Sequence, residues 1–301
     1  MRLIGIGDNV CDVYLHLAEM FPGGQALNVA VFAKMQGIDS AYLGVFGDDE
    51  VAEHIENTLS EFGVDKNHCR HVRGENGYAL VTLIDGDRVF LGSNKGGVAR
   101  EFPLVLDEND IEYIRQFSVV HTTNNSFFDE QLPVLYEAGI PVSYDFSDQW
   151  IERREWAENL AKYCTFGFMS LPHNASENEI LSYCERMHAC GCKNIVATNG
   201  SKGAYFYDGK NLWFQPSHLV KAIDTLGAGD SFATTVLVNY YNSLEANPDA
   251  MAGDPAYYET EVKKALEAAA EFSSHVCLSK GAFDHGKQIV PEEYEKRAHK
   301  H

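Results

Sequence analysis

Basic residues are scarce in this chain: 24 Lys and Arg stand against 44 Asp and Glu, a formal charge of −20 over 301 residues. A protein this acidic is repelled by polyanions, so no nucleic acid and no anionic membrane surface is expected as a partner. Long apolar runs are missing too. No stretch reaches the ~20 residues that span a bilayer, and Met1–Asp8 turns acidic too soon for a secretory leader. Cysteine offers no framework. The seven cysteines are odd in number and hold no pair of CxxC motifs, with Cys190 and Cys192 the only close pair. Reduced thiols and a cytoplasmic location are therefore expected. Internal repeats and low-complexity tracts are absent as well.

What is present is a strong local pattern late in the chain, Asp224-Thr225-Leu226-Gly227-Ala228-Gly229-Asp230-Ser231-Phe232. The preceding run, Leu219, Val220, Ala222 and Ile223, predicts a buried strand, and Phe232, Val236 and Tyr240 recur at helical spacing after it. Strand, glycine turn and helix follow in order. Glycines at 227 and 229 let a ligand approach bare backbone, and the amides of a helix start attract anions. Asp230 then stands beside an anion cradle. That carboxylate suits a cradle holding a reacting hydroxyl or a cation, and it equally suits the dipole of an ordinary first helical turn.

The rest of the chain alternates between strand and helix patterns. Leu3 to Ile6 predicts a buried strand that delivers Gly7, Asp8, Asn9 and Asp12 to its carboxyl end, where open α/β sheets bind ligands. Gly5-x-Gly7-x-x-Val10 is half a dinucleotide fingerprint. It fails because Val10 replaces the third glycine and Asp8 would oppose a pyrophosphate. Residues 13–21 read as apolar and irregular, ending at Pro22-Gly23-Gly24; Ala26, Val29, Ala30 and Ala33 then form a helical stripe of small residues. A strand at 41–46 leads to a helix with Ala52, Ile55, Leu59 and Phe62 inward and Gly63 as its cap. Strands at 79–84 and 88–91 flank Asp85-Gly86-Asp87, a hairpin signal. Further strands are expected at 119–123, 141–145, 165–169 and 194–198, and a second hairpin at 204–214. The polar stretch 243–255 reads as a surface insertion, followed by a helix over 262–277 and a charged tail. With 301 residues, 45% of them hydrophobic, the chain can fill one large α/β domain with an appendage or two smaller domains, and a hairpin inserted into the alternation suggests a small β-sheet standing off the main one.

Two motifs about two hundred residues apart carry a family resemblance. Gly23-Gly24-x-x-x-Asn28-x-Ala30 and Asp224-Thr225-x-Gly227-Ala228-Gly229-Asp230 resemble, in the right order, the two signatures of the ribokinase-like, or PfkB, carbohydrate kinases. Gly47-Asp48-Asp49 with Gly63-Val64-Asp65, and Thr198-x-Gly200-x-x-Gly203, also match in order. Within that family the stretches Gly7-Asp8-Asn9, Asp87-Arg88-Val89-Phe90 and Asp145-Phe146-Ser147-Asp148 are most similar to bacterial fructoselysine 6-kinases.

The resemblance implies a single ribokinase-like three-layer α/β domain over residues 1–301, with a mostly parallel central sheet flanked by helices and a β lid formed by segments about 11–22 and 77–96. It implies phosphorylation of a primary sugar hydroxyl by ATP with Mg²⁺, the acceptor being a sugar or sugar-amine, foremost fructoselysine. By position, Asp230 resembles the catalytic base, and Gly227, Ala228 and Gly229 the anion hole. Asp12, Gly24, Asn28 and Arg88 match substrate-binding positions; Thr198, Gly200 and Gly203 match nucleotide-binding ones, with Gly281 near the adenine. Asp224 resembles part of a monovalent-cation loop, which implies K⁺ activation. The family's Asn-x-x-Glu motif, which organises the metal through water, is spelled by Asn174-x-x-Glu177, several residues later after its strand than usual. A homodimer through the lid is a further implication. Two other readings stay open: a family kinase for fructose, ribose or a nucleoside, and a non-catalytic sugar or nucleotide sensor on the same scaffold.

Overall fold

Runs of aliphatic and β-branched residues alternate with amphipathic stretches, and the computed structural model, which describes residues 1–84 and 87–298, turns them into strands and helices. The chain opens with β1 (Arg2–Gly7), β2 (Val10–Tyr14), β3 (Glu19–Gly23), α1 (Gln25–Met35), β4 (Asp39–Phe46) and α2 (Glu50–Phe62). Next come β5 (Arg70–His71), β6 (Gly77–Ile84), β7 (Asp87–Ser93), α3 (Val98–Glu101), α4 (Glu108–Ile114), β8 (Val119–Thr123), α5 (Leu132–Glu137) and β9 (Val142–Asp145). The central part continues with α6 (Gln149–Glu152), α7 (Arg154–Ala161), β10 (Phe166–Ser170), α8 (Glu177–Ala189), β11 (Asn194–Thr198), β12 (Gly203–Tyr207) and β13 (Leu212–Pro216). The C-terminal part holds α9 (Ala228–Ala246), α10 (Pro248–Gly253), α11 (Pro255–Val276), β14 (Lys287–Gln288) and α12 (Pro291–Ala298).

The large sheet has the order β13-β12-β11-β10-β9-β8-β1-β4-β5. Its strands run parallel from β11 through to β5, while β12 and β13 return antiparallel. Alternation along each strand sorts side chains between two faces. Leu3, Val119, Phe166, Phe168 and Val196 pack beneath α1, α9 and α11, against Val29, Phe232, Val236 and Leu266. Their neighbours Ile4, Val120, Met169 and Ile195 face the opposite layer, with Ile114, Leu132, Ala157 and Ile180. The three-layer expectation is met. The small residues of α1 have a direct cause: a Cβ on Gly5 would collide with the Ala26 carbonyl, so helix and strand lie closer than larger side chains allow. At α2, Asp49 accepts a hydrogen bond from the Ala52 amide at 3.0 Å and Gly63 closes the helix in a left-handed conformation; a cap of this kind contributes ~1 kcal/mol.

A second sheet, ordered β14-β3-β2-β6-β7, grows out of the crossover between β1 and α1. One face, carrying Cys11, Val13, Met20, Tyr78 and Leu80, joins a core with α1 and α2. The alternate positions Val10, Asp12, Ala79 and Gly92 face a cleft above the carboxyl edge of the large sheet. This sheet includes the hairpin expected at 79–91, although positions 85 and 86 of its turn lie outside the described residues.

Four expectations change. Residues 219–223 are not a strand: they form a loop in which Leu219 is 76% and Ile223 64% exposed, and Leu219, Val220 and Ala222 border a cleft instead of a neighbouring strand. Residues 13–21, read as irregular, supply most of the β2–β3 hairpin. The stretch 243–255 is helical, since Pro248 and Pro255 each occupy a helix start, where the missing amide costs nothing. The charged tail also adds structure. Lys287 and Gln288 pair with β3, and Tyr294, 1% exposed, stacks edge-on against Tyr78. No described helix is long and apolar enough to cross a membrane.

Candidate active site

The carboxyl ends of β1, β8 and β9 converge near the start of α1. Asp8, just past β1, accepts hydrogen bonds from the amides of Gln25 (2.7 Å) and Ala26 (3.1 Å) and from the hydroxyls of Thr123 (3.1 Å) and Ser126 (3.0 Å). It thus caps α1 from a distant part of the chain. One turn further on, Asn28 donates through Nδ2 to Asp230 Oδ2 at 2.7 Å. Its Oδ1 is buried with no hydrogen-bond partner among the described residues, an arrangement that leaves an acceptor for a ligand hydroxyl.

The start of α9 faces this point. Gly227, with φ 76°, brings no side chain to cap the helix, and a Cβ there would press on Ala282 at 2.8 Å. The first amides of α9 therefore have no side-chain cap, which favours an anion. Gly229 differs from Gly227: a Cβ added to it would meet nothing within 4 Å. Packing therefore does not demand glycine at 229, and the space beside it is open. Asp230 follows in the first turn and is only 8% exposed. Burial, with Asp145, Asp8 and Asp12 nearby, pushes its carboxyl up to about 8, against the lowering effect of the Asn28 hydrogen bond. Asp145 is pushed up to about 6 by burial and by Asp8 and Asp148, although the Ser147 amide bonds to it at 2.7 Å.

Two clefts meet at this helix start. The more polar one, about 880 Å³, is bordered by Asp8, Asp12, Gly24, Asn28 and Asp230 from below and by Phe90 and Leu91 of the small sheet. A second, about 330 Å³ and mostly apolar, is bordered by Pro216, Leu219, Val220, Phe232 and Ala270, with Thr198, Gly200 and Gly203 at its edge. Thr225 and Gly229 line both.

The structure brings most of the expected residues together but not all of them. Glu177 is the exposed first residue of α8 and borders neither cleft; the cap of that helix is Ser176 with Glu179, which forms a reciprocal capping box. Gly281 also stays out of the apolar cleft, where Ser273, Ser274 and Cys277 stand instead. Its amide donates to Asp224 Oδ2 at 3.1 Å. Asp224 accepts further bonds from the Tyr14 hydroxyl (2.5 Å) and the Leu226 amide (3.0 Å), so it ties the small sheet to the loops before α9 and after α11. Arg88 belongs to β7 opposite Leu83, and its side chain lies outside the described residues. Among the described residues no three His, Cys, Asp or Glu side chains gather as a metal cage. A hard divalent cation that keeps its waters and binds chiefly to substrate phosphates requires no such cage.

Several site residues escaped the sequence reading. Gln25 bridges Asp145 (3.3 Å) and Asn125 (2.9 Å) at the cleft edge, and Lys95 and Ser147 border the same space. Gln25, Asn125 and Lys95 carry no local signature, whereas Asp145 and Ser147 lie in the matched stretch Asp145-Phe146-Ser147-Asp148 without a role assigned to either.

An open α/β sheet whose carboxyl edge joins an anion-attracting helix start to a buried carboxylate defines a group-transfer site. The family model described as pfkB family carbohydrate kinase matches residues 2–286. Fructosamine kinase FrlD of Bacillus subtilis (strain 168) is 36% identical over 95% of this chain and 94% of its own. Fructoselysine 6-kinase of Escherichia coli (strain K12) is 34% identical over 79% and 88% respectively. Among solved structures, Arabidopsis thaliana ribokinase complexed with ribose and ATP superposes with a TM-score of 0.74 at 19% identity, covering 98% of this chain and 97% of that one. An E. coli protein assigned as ribokinase II, in complex with ATP and Mg²⁺, gives 0.71 at 17% identity over 100% and 99%. The chain belongs to the pfkB family of carbohydrate kinases. It is a phosphotransferase with a sugar hydroxyl as acceptor, on a ribokinase-like fold.

Proposed function

We propose that the chain transfers the γ-phosphoryl group of ATP to the 6-hydroxyl of a glycated amine of the fructoselysine class, with Asp230 as general base. The observation that carries this reading is the junction of the two clefts at the start of α9, where Thr225 and Gly229 border both and Asp230 lies on the polar side. Phosphoryl transfer needs that arrangement, because attacking and leaving oxygens must line up with no protein atom between them. The acceptor class comes from relatives at 34–36% identity, named as fructoselysine and fructosamine kinases.

Bound ATP with Mg²⁺ supplies the leaving group and neutralises its charge. The remaining work falls to this chain. The apolar cleft holds the nucleotide base, with Thr198, Gly200 and Gly203 beside it, and the amides following Gly227 donate to charge developing on the transferred group. Donors so placed contribute ~2.7–4 kcal/mol each. Gly24, Asn28 and Asp12 orient the acceptor, and Asp230 takes its proton, a contribution of ~10²–10⁴-fold. The small sheet serves as the lid over the acceptor. Asp224, already engaged by three donors, fits a clamp between loops better than a potassium ligand, and no step runs through potassium.

The test is a panel of fructoselysine, fructose, ribose and a nucleoside, followed by ADP release. Fructoselysine is expected to give the highest kcat/KM. Equal values for fructoselysine and fructose would remove the amine from the reading, and binding without ADP release across the panel would favour the sensor.

A further inference from the structure

Phe127 stands between the acceptor cleft and a smaller one. The smaller cleft, about 270 Å³, is bordered by Leu104 and Val105 on one side and by Asp129 and Glu130 on the other, and Phe127 is the wall that the two clefts share. Its volume falls just below the usual ~300–1,000 Å³ of a complete ligand site. It suits one part of a ligand whose remainder lies next door. Its two sides are tied together, since the Leu106 amide donates to Gln131 Oε1 at 3.1 Å.

The backbone at Phe127 is left-handed, with φ 52°, a conformation that a bulky side chain rarely adopts. Its neighbours hold it there. Ser126 is buried and donates to Asp8 at 3.0 Å while it accepts from the Thr123 amide at 3.2 Å, and Phe128 is buried in the layer that contains Leu132. Between these two inward side chains Phe127 is 41% exposed. Its ring reaches the small sheet: a Cβ on Gly96 would come within 2.7 Å of Cε2. Glycine at 96 thus leaves room for the ring, which spans from the loop after β8 to the turn after β7. Backbone outliers of this kind gather at ligand clamps.

We infer that the smaller cleft receives the amine end of an acceptor's tail, whose methylenes cross the Phe127 ring, so that Phe127 sets the preference for glycated amines over free ketoses. The inference rests on the acceptor class proposed above. The chemistry of the walls matches such a tail. Phe127 and Val105 offer apolar surface to the methylenes. Asp129 is held by two neutral donors, the Tyr144 hydroxyl at 2.6 Å and Trp156 Nε1 at 2.7 Å, so its negative charge and that of Glu130 attract an ammonium. A free ketose leaves both features unused.

The test compares wild type, Phe127→Ala and Val105→Lys on fructose, fructosyl-pentylamine, fructosyl-cadaverine and fructosyl-lysine. Burial of one methylene corresponds to about fourfold in affinity, so a few methylenes against one face of a ring give on the order of 10-fold. In wild type, kcat/KM should rise by that factor from fructose to fructosyl-pentylamine. A further rise of about two- to fivefold is expected for fructosyl-cadaverine, which adds only the ammonium. Phe127→Ala should lose the first rise, through KM, with a far smaller change on fructose. Val105 is exposed and borders the smaller cleft but not the acceptor cleft, so Val105→Lys should keep the wild-type Tm and cancel the second rise by repelling the ammonium. Fructosyl-lysine should respond to both variants as fructosyl-cadaverine does. Equal losses on all four acceptors in Phe127→Ala, or no loss in either variant, would overturn the subsite and leave the acceptor class in place. Wild type that phosphorylates fructose but no glycated acceptor would overturn the acceptor class, and the subsite with it.

Discussion

Asn28 and Asp230, 202 positions apart in the chain, meet through a 2.7 Å hydrogen bond from Nδ2 to Oδ2. They stand at the starts of α1 and α9, which share one apolar layer under the large sheet. That bond favours the charged carboxylate, while burial and three neighbouring acids oppose it. The balance leaves Asp230 poised near the pH at which a general base works best.

Replacing Asp230 by Asn should therefore abolish most turnover and leave the fold intact. A loss of ~10²–10⁴-fold in kcat is expected, with acceptor affinity retained in isothermal titration. Near-normal turnover in the variant would sink the assignment of Asp230 as base.

The same carboxyl makes stability depend on pH. Its folded value of about 8 lies above the unfolded 3.8, so the unliganded protein holds a proton there that the unfolded chain has released. Its contribution is complete below pH 3.8 and is lost as pH rises through about 8. Asp145, at about 6, acts in the same direction over a narrower window. Urea unfolding between pH 5 and 9 should show this decline, and Asp230→Asn should flatten its upper part. In wild type, kcat/KM should fall on the acid side of a limb near pH 8.

Asn28→Ala removes the one hydrogen bond that lowers the Asp230 value. The limb of kcat/KM should move to higher pH, with reduced turnover at neutrality. A limb that stays in place while KM rises would make Asn28 a binding residue with no part in tuning the base.

Gly229 separates packing from chemistry. Nothing stands within 4 Å of an added Cβ, so Gly229→Ala should be tolerated and gain roughly 0.5–1 kcal/mol of helix stability. The methyl would project where the reactants must approach each other, and displacement of about 1 Å there costs on the order of 100-fold in rate. A more stable, slower enzyme is the expected result; unchanged kcat would mean that the reactants pass elsewhere.

Much of this was legible from local patterns. The β1, β4 and β8 to β11 strands announce themselves because both faces of the large sheet are buried, and α2 because Asp49 and Gly63 mark its ends. Both halves of the site carry glycine signatures, which is why Gly24, Asn28, Gly227 and Asp230 could be named. The small sheet was half hidden. One face of β2 lines a cleft, so Asp12 interrupts the alternation that would have marked a strand. Asp145 stands in a matched stretch but received no role, since the sheet positions it, and Lys95 carries no signature, since it is placed by a turn whose conformation is invisible in residue type. Prolines at 248 and 255 misled because they begin helices instead of breaking them.

The loop at 219–223 was misread for a reason that yields a test. Apolar residues in a row normally mean burial by protein, yet Leu219 is 76% and Val220 41% exposed along the apolar cleft. If the nucleotide base covers them, Leu219→Ser should leave stability within about 0.5 kcal/mol of wild type, as for other surface changes. ATP affinity should suffer instead: losing a leucine contact worth ~1.5–3 kcal/mol when fully buried implies a KM for ATP raised on the order of 10-fold. The acceptor KM should stay the same. A variant that unfolds more easily, with ATP kinetics untouched, would show that Leu219 serves packing and that the base lies against another wall.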